Sequence, residues 1–147
     1  MFRYLLGLAI LGLALGLAGC AKKGMKTAVV KGTVSYDGKP LPYGSVLFIP
    51  ESPGPTATGE IGPDGTYTLT TYAKGDGAVL GKHKVVVSAQ EDTSNQLPDS
   101  RNPLPPPIVP DKYTNPATTD LRAEVEDTVN TKNFELTGEL SSKKKKR

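Results

Sequence analysis

From Ala28 to Tyr36 the chain alternates, with Val30, Gly32, Val34 and Tyr36 on one parity and Val29, Lys31, Thr33 and Ser35 on the other. Side chains of an extended strand point to opposite faces with a period of two, so this stretch predicts a half-buried β-strand. The pattern returns in short bursts. Gly44–Pro50 (GSVLFIP), Thr56–Ile61 (TATGEI), Thr66–Thr71 (TYTLTT), Lys82–Ala89 (KHKVVVSA), Leu121–Asp127 (LRAEVED) and Lys132–Thr137 (KNFELT) read as further strands. A helix can also be written over Leu121–Asp127, but its neighbours and the Thr128–Asn130 turn favour a strand. The three valines Val85–Val87 suit burial on both faces. Turn signals divide the bursts at Asp37-Gly38, Glu51–Pro55, Gly62-Pro63-Asp64-Gly65 and Ala73–Gly77. Seven short strands and no amphipathic helix among them predict an all-β sandwich over residues 28–137.

One interval breaks the rhythm. Between Pro98 and Pro110, LPDSRNPLPPPIVP holds six prolines, and proline cannot donate to a strand ladder. Residues 90–120 therefore predict a long extended crossover with polyproline II character, pinned to the sandwich by Ile108, Val109 and Tyr113. The alternative, a PxxP ligand for a partner's groove, suits the eukaryotic cytoplasm better.

Ahead of the strands lies a different kind of sequence. Met1-Phe2-Arg3-Tyr4 is followed by an uncharged run, Leu5–Gly19, rich in Leu, Ala and Gly. That run is shorter than the ~20 residues needed to span a bilayer core, and Gly7, Gly12 and Gly16 weaken it further. A signal-peptide helix over residues 1–19 is the expectation. The chain's one cysteine, Cys20, follows directly. A lone thiol can form neither an internal disulfide nor a cysteine-based metal site. Leu17-Ala18-Gly19-Cys20 resembles the lipobox of bacterial lipoproteins. The resemblance implies that the Cys20 thiol takes a diacylglyceryl group, that the leader is cut before it, and that the new amine is acylated. The mature chain would then be anchored to the cell envelope through its lipidated cysteine and a tether, residues 20–27. Ala21 lacks the Asp associated with inner-membrane retention, which favours the outer membrane and a periplasm-facing domain.

The net charge of +3 hides a division. Arg3 and the five cations Lys143, Lys144, Lys145, Lys146 and Arg147 lie outside the body, which leaves twelve Lys and Arg against fifteen Asp and Glu in residues 20–142. A mildly acidic body has no basic face for nucleic acid, and no nucleic-acid partner is expected. Residues 138–147 predict a disordered basic tail. Its cations suit anionic phosphates of a membrane or envelope polymer; a merely solubilising tail is the alternative.

VVKGTVSYDGKPLPYGSVLF, TGEIGPDGTYTL and GKHKVVVSA, within residues 29–89, are similar to the carboxypeptidase regulatory-like domain. The resemblance implies a transthyretin-like (prealbumin-like) seven-stranded Greek-key sandwich. The remainder, IVPDKYTNPATTDLRAEVEDTVNTKNFEL, resembles the ending of small lipoproteins of planctomycete-type bacteria. It implies a fold and a location, without a reaction.

The residues offer little for catalysis. His83 is the only imidazole and is expected at the surface or as a cap rather than as a general base. Transthyretin-like hydrolases of urate breakdown use more than one His and a Tyr-Arg-Gly-Ser ending, which this chain lacks. Asp120, Glu124, Glu126 and Asp127 fall on both faces of one strand and form no calcium loop, so no metal or other cofactor is expected. Sandwich domains of bacterial adhesins form a Lys–Asn crosslink; here Lys31, Asn133 and Glu60 supply the residue types, but alternation turns Lys31 outward. A binding or scaffolding role follows, with an envelope protein or a glycan as partner. The candidate contacts are Tyr72 and Tyr113, taken as exposed aromatics, and the cationic tail.

Overall fold

The computed structural model describes residues 24–90 and 107–140. The described chain is mostly β. Its strands are β1 (Thr27–Ala28), β2 (Val30–Tyr36), β3 (Lys39–Pro40), β4 (Gly44–Pro50), β5 (Ala57–Ile61), β6 (Thr66–Thr68), β7 (Ala78–Val79), β8 (Gly81–Ser88), β9 (Arg122–Val125), β10 (Asn130–Thr131) and β11 (Phe134–Leu136). One helical turn, α1 (Asp111–Thr114), lies inside the crossover that the sequence predicts to be extended throughout. The expected leader helix, residues 1–19, falls outside the described residues, as do residues 91–106.

The main sheet runs β10-β2-β6-β5-β4-β8-β9, with β3 and β11 also bonded to β2. β1 and β7 form a separate antiparallel ribbon, Thr27 opposite Val79. Most pairings are antiparallel, as hairpin connections favour. The exceptions are β10 and β11, which pair parallel to β2 at Val30–Lys31 and Val34–Tyr36. Asp37 and Gly38 close the β2–β3 hairpin with φ of 49° and 76°, the mirror-image turn that suits strand twist.

Alternation places the core. Val30 and Val34 are fully buried while Val29, Lys31 and Thr33 are exposed. Val46 and Phe48 of β4, Ala57 and Ile61 of β5, Tyr67 of β6, Val85 and Val87 of β8, and Phe134 and Leu136 of β11 join them. Phe48 and Phe134 belong to strands separated by β5, β6 and β2 in the sheet order, yet their rings meet edge to face at 6.0 Å. The sheet is therefore curled, and its far edge turns back over its middle. Tyr67 stacks on Phe134 at 6.4 Å and donates its hydroxyl to the Lys132 carbonyl at 2.7 Å. Each aromatic pair contributes about 0.5–1.5 kcal/mol beyond its burial.

The closing edge depends on Gly32. A Cβ there would sit 1.8 Å from the Lys132 carbonyl oxygen, a backbone atom. At this point the Asn133 side chain replaces the ladder, its Oδ1 accepting from the Thr33 N–H at 3.0 Å. The contact selects glycine because the two backbones touch.

The crossover returns as a strap. The Ile108 N–H donates to the Ala89 carbonyl, Val109 is fully buried, and the Thr119 hydroxyl donates to the Val85 carbonyl at 2.7 Å. β9 forms the end of the sheet, with Arg122 and Glu124 outward. Charged side chains suit such an edge, since they discourage further strand pairing.

Replacing Gly32 by Ala should cost about 1–3 kcal/mol or more in urea unfolding, because the clash is with backbone. Thr33→Ala, on the exposed side of the same strand, should stay within about 0.5 kcal/mol.

Candidate functional site

The outward face of β4, β5 and β6 carries the parity that the core does not use. Ser45, Thr58, Glu60 and Thr68 line a groove of about 690 Å³ there, together with Thr70, Lys74 and Gly75. Thr58 and Thr70 exchange backbone hydrogen bonds across it at 2.8–2.9 Å. The groove thus presents hydroxyls, each able to donate and accept, beside one carboxylate and one ammonium.

The loop at one side of this groove is held by Asp76. Its Oδ1 accepts from the Thr71 N–H at 2.7 Å, and its Oδ2 from the N–H groups of Tyr72 at 2.9 Å and Ala73 at 3.1 Å. Burial pushes this carboxyl up, but the three donors outweigh it and hold it below the usual range. The sequence suggests only a glycine-rich connection here. An Asp among turn residues was the available signal, since its side chain bonds readily to nearby backbone N–H groups. Tyr72, on the same loop, is 54% exposed, and its hydroxyl accepts from the Met25 N–H at 3.0 Å.

At the opposite edge His83 departs from its expected surface position. It is fully buried, on the same parity as Val85 and Val87, with its ring 5.7 Å from that of Phe48. Nδ1 lies 3.0 Å from the Gly81 carbonyl, so it carries the proton and donates. Nε2 has no hydrogen-bond partner. Burial holds this imidazole below its ordinary value; the Gly81 bond and the Glu51 carboxylate oppose that. His83 itself borders a recess of about 380 Å³, lined with it by Glu51, Lys82, Arg122, Ala123 and Glu124. Glu51 and Arg122 approach to 3.6 Å, and Arg122 also donates to the Thr119 and Leu121 carbonyls. A general base must come within about 3 Å of the proton it takes, and this ring has no exposed surface.

Tyr113 is also corrected. Expected among exposed aromatics, it is 3% exposed, and its hydroxyl donates to the Thr137 carbonyl at 3.1 Å and accepts from the Thr137 N–H at 3.2 Å. The Lys112 ammonium lies 4.3 Å above its ring. Burial raises this phenol, yet the bonds from Lys112 and Thr137 bring it below its ordinary value. Tyr113 is thus a buried peg of the strap rather than the exposed aromatic expected. Tyr72 keeps the exposure expected of it. Leu17, Ala18, Gly19 and Cys20 lie outside the described residues, as do Lys143, Lys144, Lys145, Lys146 and Arg147.

Lys31 and Glu60 are exposed, and the Asn133 amide oxygen is occupied by the Thr33 N–H, so the Lys–Asn crosslink lacks its desolvated amine. Among the described residues, no group of three or more His, Cys, Asp or Glu is placed to hold a metal ion.

Comparison with family models, with curated proteins and with solved structures returns no match.

His83 has a consequence for stability. Unfolded, its imidazole takes a proton near pH 6.5; folded, it stays neutral to lower pH. The unfolded state then binds more protons, so stability should fall as pH drops below 6.5, by at most about 1.4 kcal/mol per pH unit. Asp64 and Asp76, lowered from 3.8, lose their contributions only in more acid solution. Urea melts of wild type and His83→Leu should diverge in slope between pH 6.5 and that range. Parallel pH profiles would show that the ring titrates alike folded and unfolded.

Proposed function

We propose that this chain is a bacterial lipoprotein, anchored through acyl chains on Cys20, whose β domain is a non-catalytic binding or scaffolding module facing the periplasm. The finer fold belongs to the same proposal: a transthyretin-like Greek-key sandwich, as the resemblance of residues 29–89 implies. The observation that carries it is the placing of the chain's one thiol. Cys20 ends an apolar leader after Leu17-Ala18-Gly19, and β1 begins only seven residues later, at Thr27. A thiol so placed has no partner in the chain and stands between a removable segment and a folded body.

The burial of His83 supports a role without catalysis, since the only imidazole is packed into the apolar core. The basic tail fits an envelope setting, where each Lys or Arg near an anionic surface contributes about 1 kcal/mol.

A second function, glycan or peptidoglycan binding, is favoured by one feature. The hydroxyls of Ser45, Thr58, Thr68 and Thr70 in the groove match the donor and acceptor character of a sugar. None of the residues lining the groove is aromatic, so a sugar would gain no stacking there.

Palmitate labelling in a lipoprotein-processing host should mark the wild type and leave Cys20→Ser unlabelled and released from membranes. An unlabelled wild type overturns the anchor. Cross-linking in intact envelopes should capture a protein partner. A reproducible glycan-array signal, lost in Thr58→Val and Lys74→Ala, would instead put a sugar in the groove.

A further inference from the structure

We infer that the end of the domain where the chain enters is a bilayer-contacting face, seated on the lipid to which Cys20 is joined. The inference rests on the anchored reading above and adds an orientation to it.

Five large apolar side chains are exposed among the described residues: Met25, Val29, Tyr72, Leu80 and Val129. Single exposed apolar residues are ordinary, but these are not scattered. Every one lies on residues 24–29 or on a segment bonded to them. Met25 and Val29 belong to that stretch itself. Tyr72 accepts the Met25 N–H through its hydroxyl, and its ring lies against Gly24. Leu80 follows Val79, which pairs with Thr27 in the β1–β7 ribbon. Val129, 60% exposed, precedes Asn130, whose N–H donates to the Val29 carbonyl at 2.8 Å.

The same place is where the lipid must be. Three residues, Ala21–Lys23, separate Cys20 from Gly24, so even fully extended the link reaches at most about 14 Å. A bilayer holding the acyl chains therefore lies within about that distance of Gly24, the residue against which the Tyr72 ring packs. The charges agree: Lys22 and Lys23 stand in the link and Lys26 beside it, though Lys26 is paired with Asp127. Cations next to an acyl anchor are drawn to anionic headgroups, and a tyrosine with an apolar ring and a polar tip suits the headgroup boundary. A second copy or a soluble partner would have to share this space with the lipid. The bilayer is therefore the occupant that the tether length selects.

The test uses the acylated full-length product, made in a host that processes lipoproteins. Acylation consumes the Cys20 thiol, so a cysteine introduced elsewhere is the one free thiol available to an environment-sensitive fluorophore. Leu80→Cys and Val129→Cys report the proposed face. Lys39→Cys and Glu135→Cys report the other end of β2, where Ser35, the partner of Glu135, lies about 17 Å along the strand from Val30. All four positions are exposed, so labelling should leave the fold intact. In vesicles of phosphatidylethanolamine and phosphatidylglycerol, positions 80 and 129 should show blue-shifted emission. Quenching by nitroxide-labelled lipid should be several-fold stronger there than at positions 39 and 135. Equal, water-like emission at all four positions on protein shown by mass to carry its acyl chains overturns the contact face and leaves the anchor standing. A mass without acyl chains, with two reactive thiols, overturns the anchor and the contact face together.

Discussion

Everything in this fold depends on β2 being bonded along both edges. Its even-numbered residues face β6 and β3: the Leu69 N–H reaches the Val30 carbonyl, and the Val34 N–H reaches the Gly65 carbonyl. Its odd-numbered residues face the end of the chain, where the N–H groups of Asn130 and Lys132 reach the carbonyls of Val29 and Lys31. One strand near the start of the body is thus the seam that closes the last two strands onto the sheet. Gly32 lets that seam close, and Phe134, carried in by it, meets Phe48 and Tyr67 in the interior. Without the parallel pairing of β10 and β11, Phe134 and Leu136 would have no place in the core.

The strands were largely legible because local alternation reports burial directly. Gly44–Pro50 has the bounds read from its pattern, and Val85–Val87 are buried on both faces as three adjacent valines suggest. The pairing was not legible. Nothing within KNFELT says that it lies parallel to a strand 100 residues earlier, because register is set by partners distant in sequence. The crossover shows a similar limit. Its pegs, Val109 and Tyr113, were legible as the few bulky side chains in a polar stretch, but the turn of α1 was not. The same Tyr113 was also counted as exposed, since composition alone cannot say which way a loop aromatic points.

Asp76, which sequence reasoning missed, and His83, which it set at the surface, illustrate opposite uses of burial. Asp76 gathers three backbone N–H groups and so fixes the loop that carries Tyr72 and borders the hydroxyl groove. His83 is buried with only one nitrogen bonded. Its parity with the buried Val85 and Val87 is the sequence signal for an inward ring. An imidazole there keeps a ring of suitable size against Phe48 while leaving one nitrogen without a partner, at a cost of about 1–3 kcal/mol for the unmet bond.

The entry of the chain joins the fold to its proposed setting. A short tether is expected over residues 20–27, and the reach of a flexible linker grows with the square root of its length. Residues 24–28 are engaged with the domain: Met25 with Tyr72, Lys26 with Asp127, and β1 with β7. If Cys20 is acylated as proposed, each contact shortens the span between the lipid and the sheet. Val30, where β2 starts, follows directly, so the segment nearest the anchor is continuous with the seam that closes the core. A domain held this closely cannot sample the orientations open to one on a long linker, and its effective concentration at the surface rises accordingly. The exposure of Met25, Val29, Leu80 and Val129 is then a property of the domain in water, and contact with lipid would remove it.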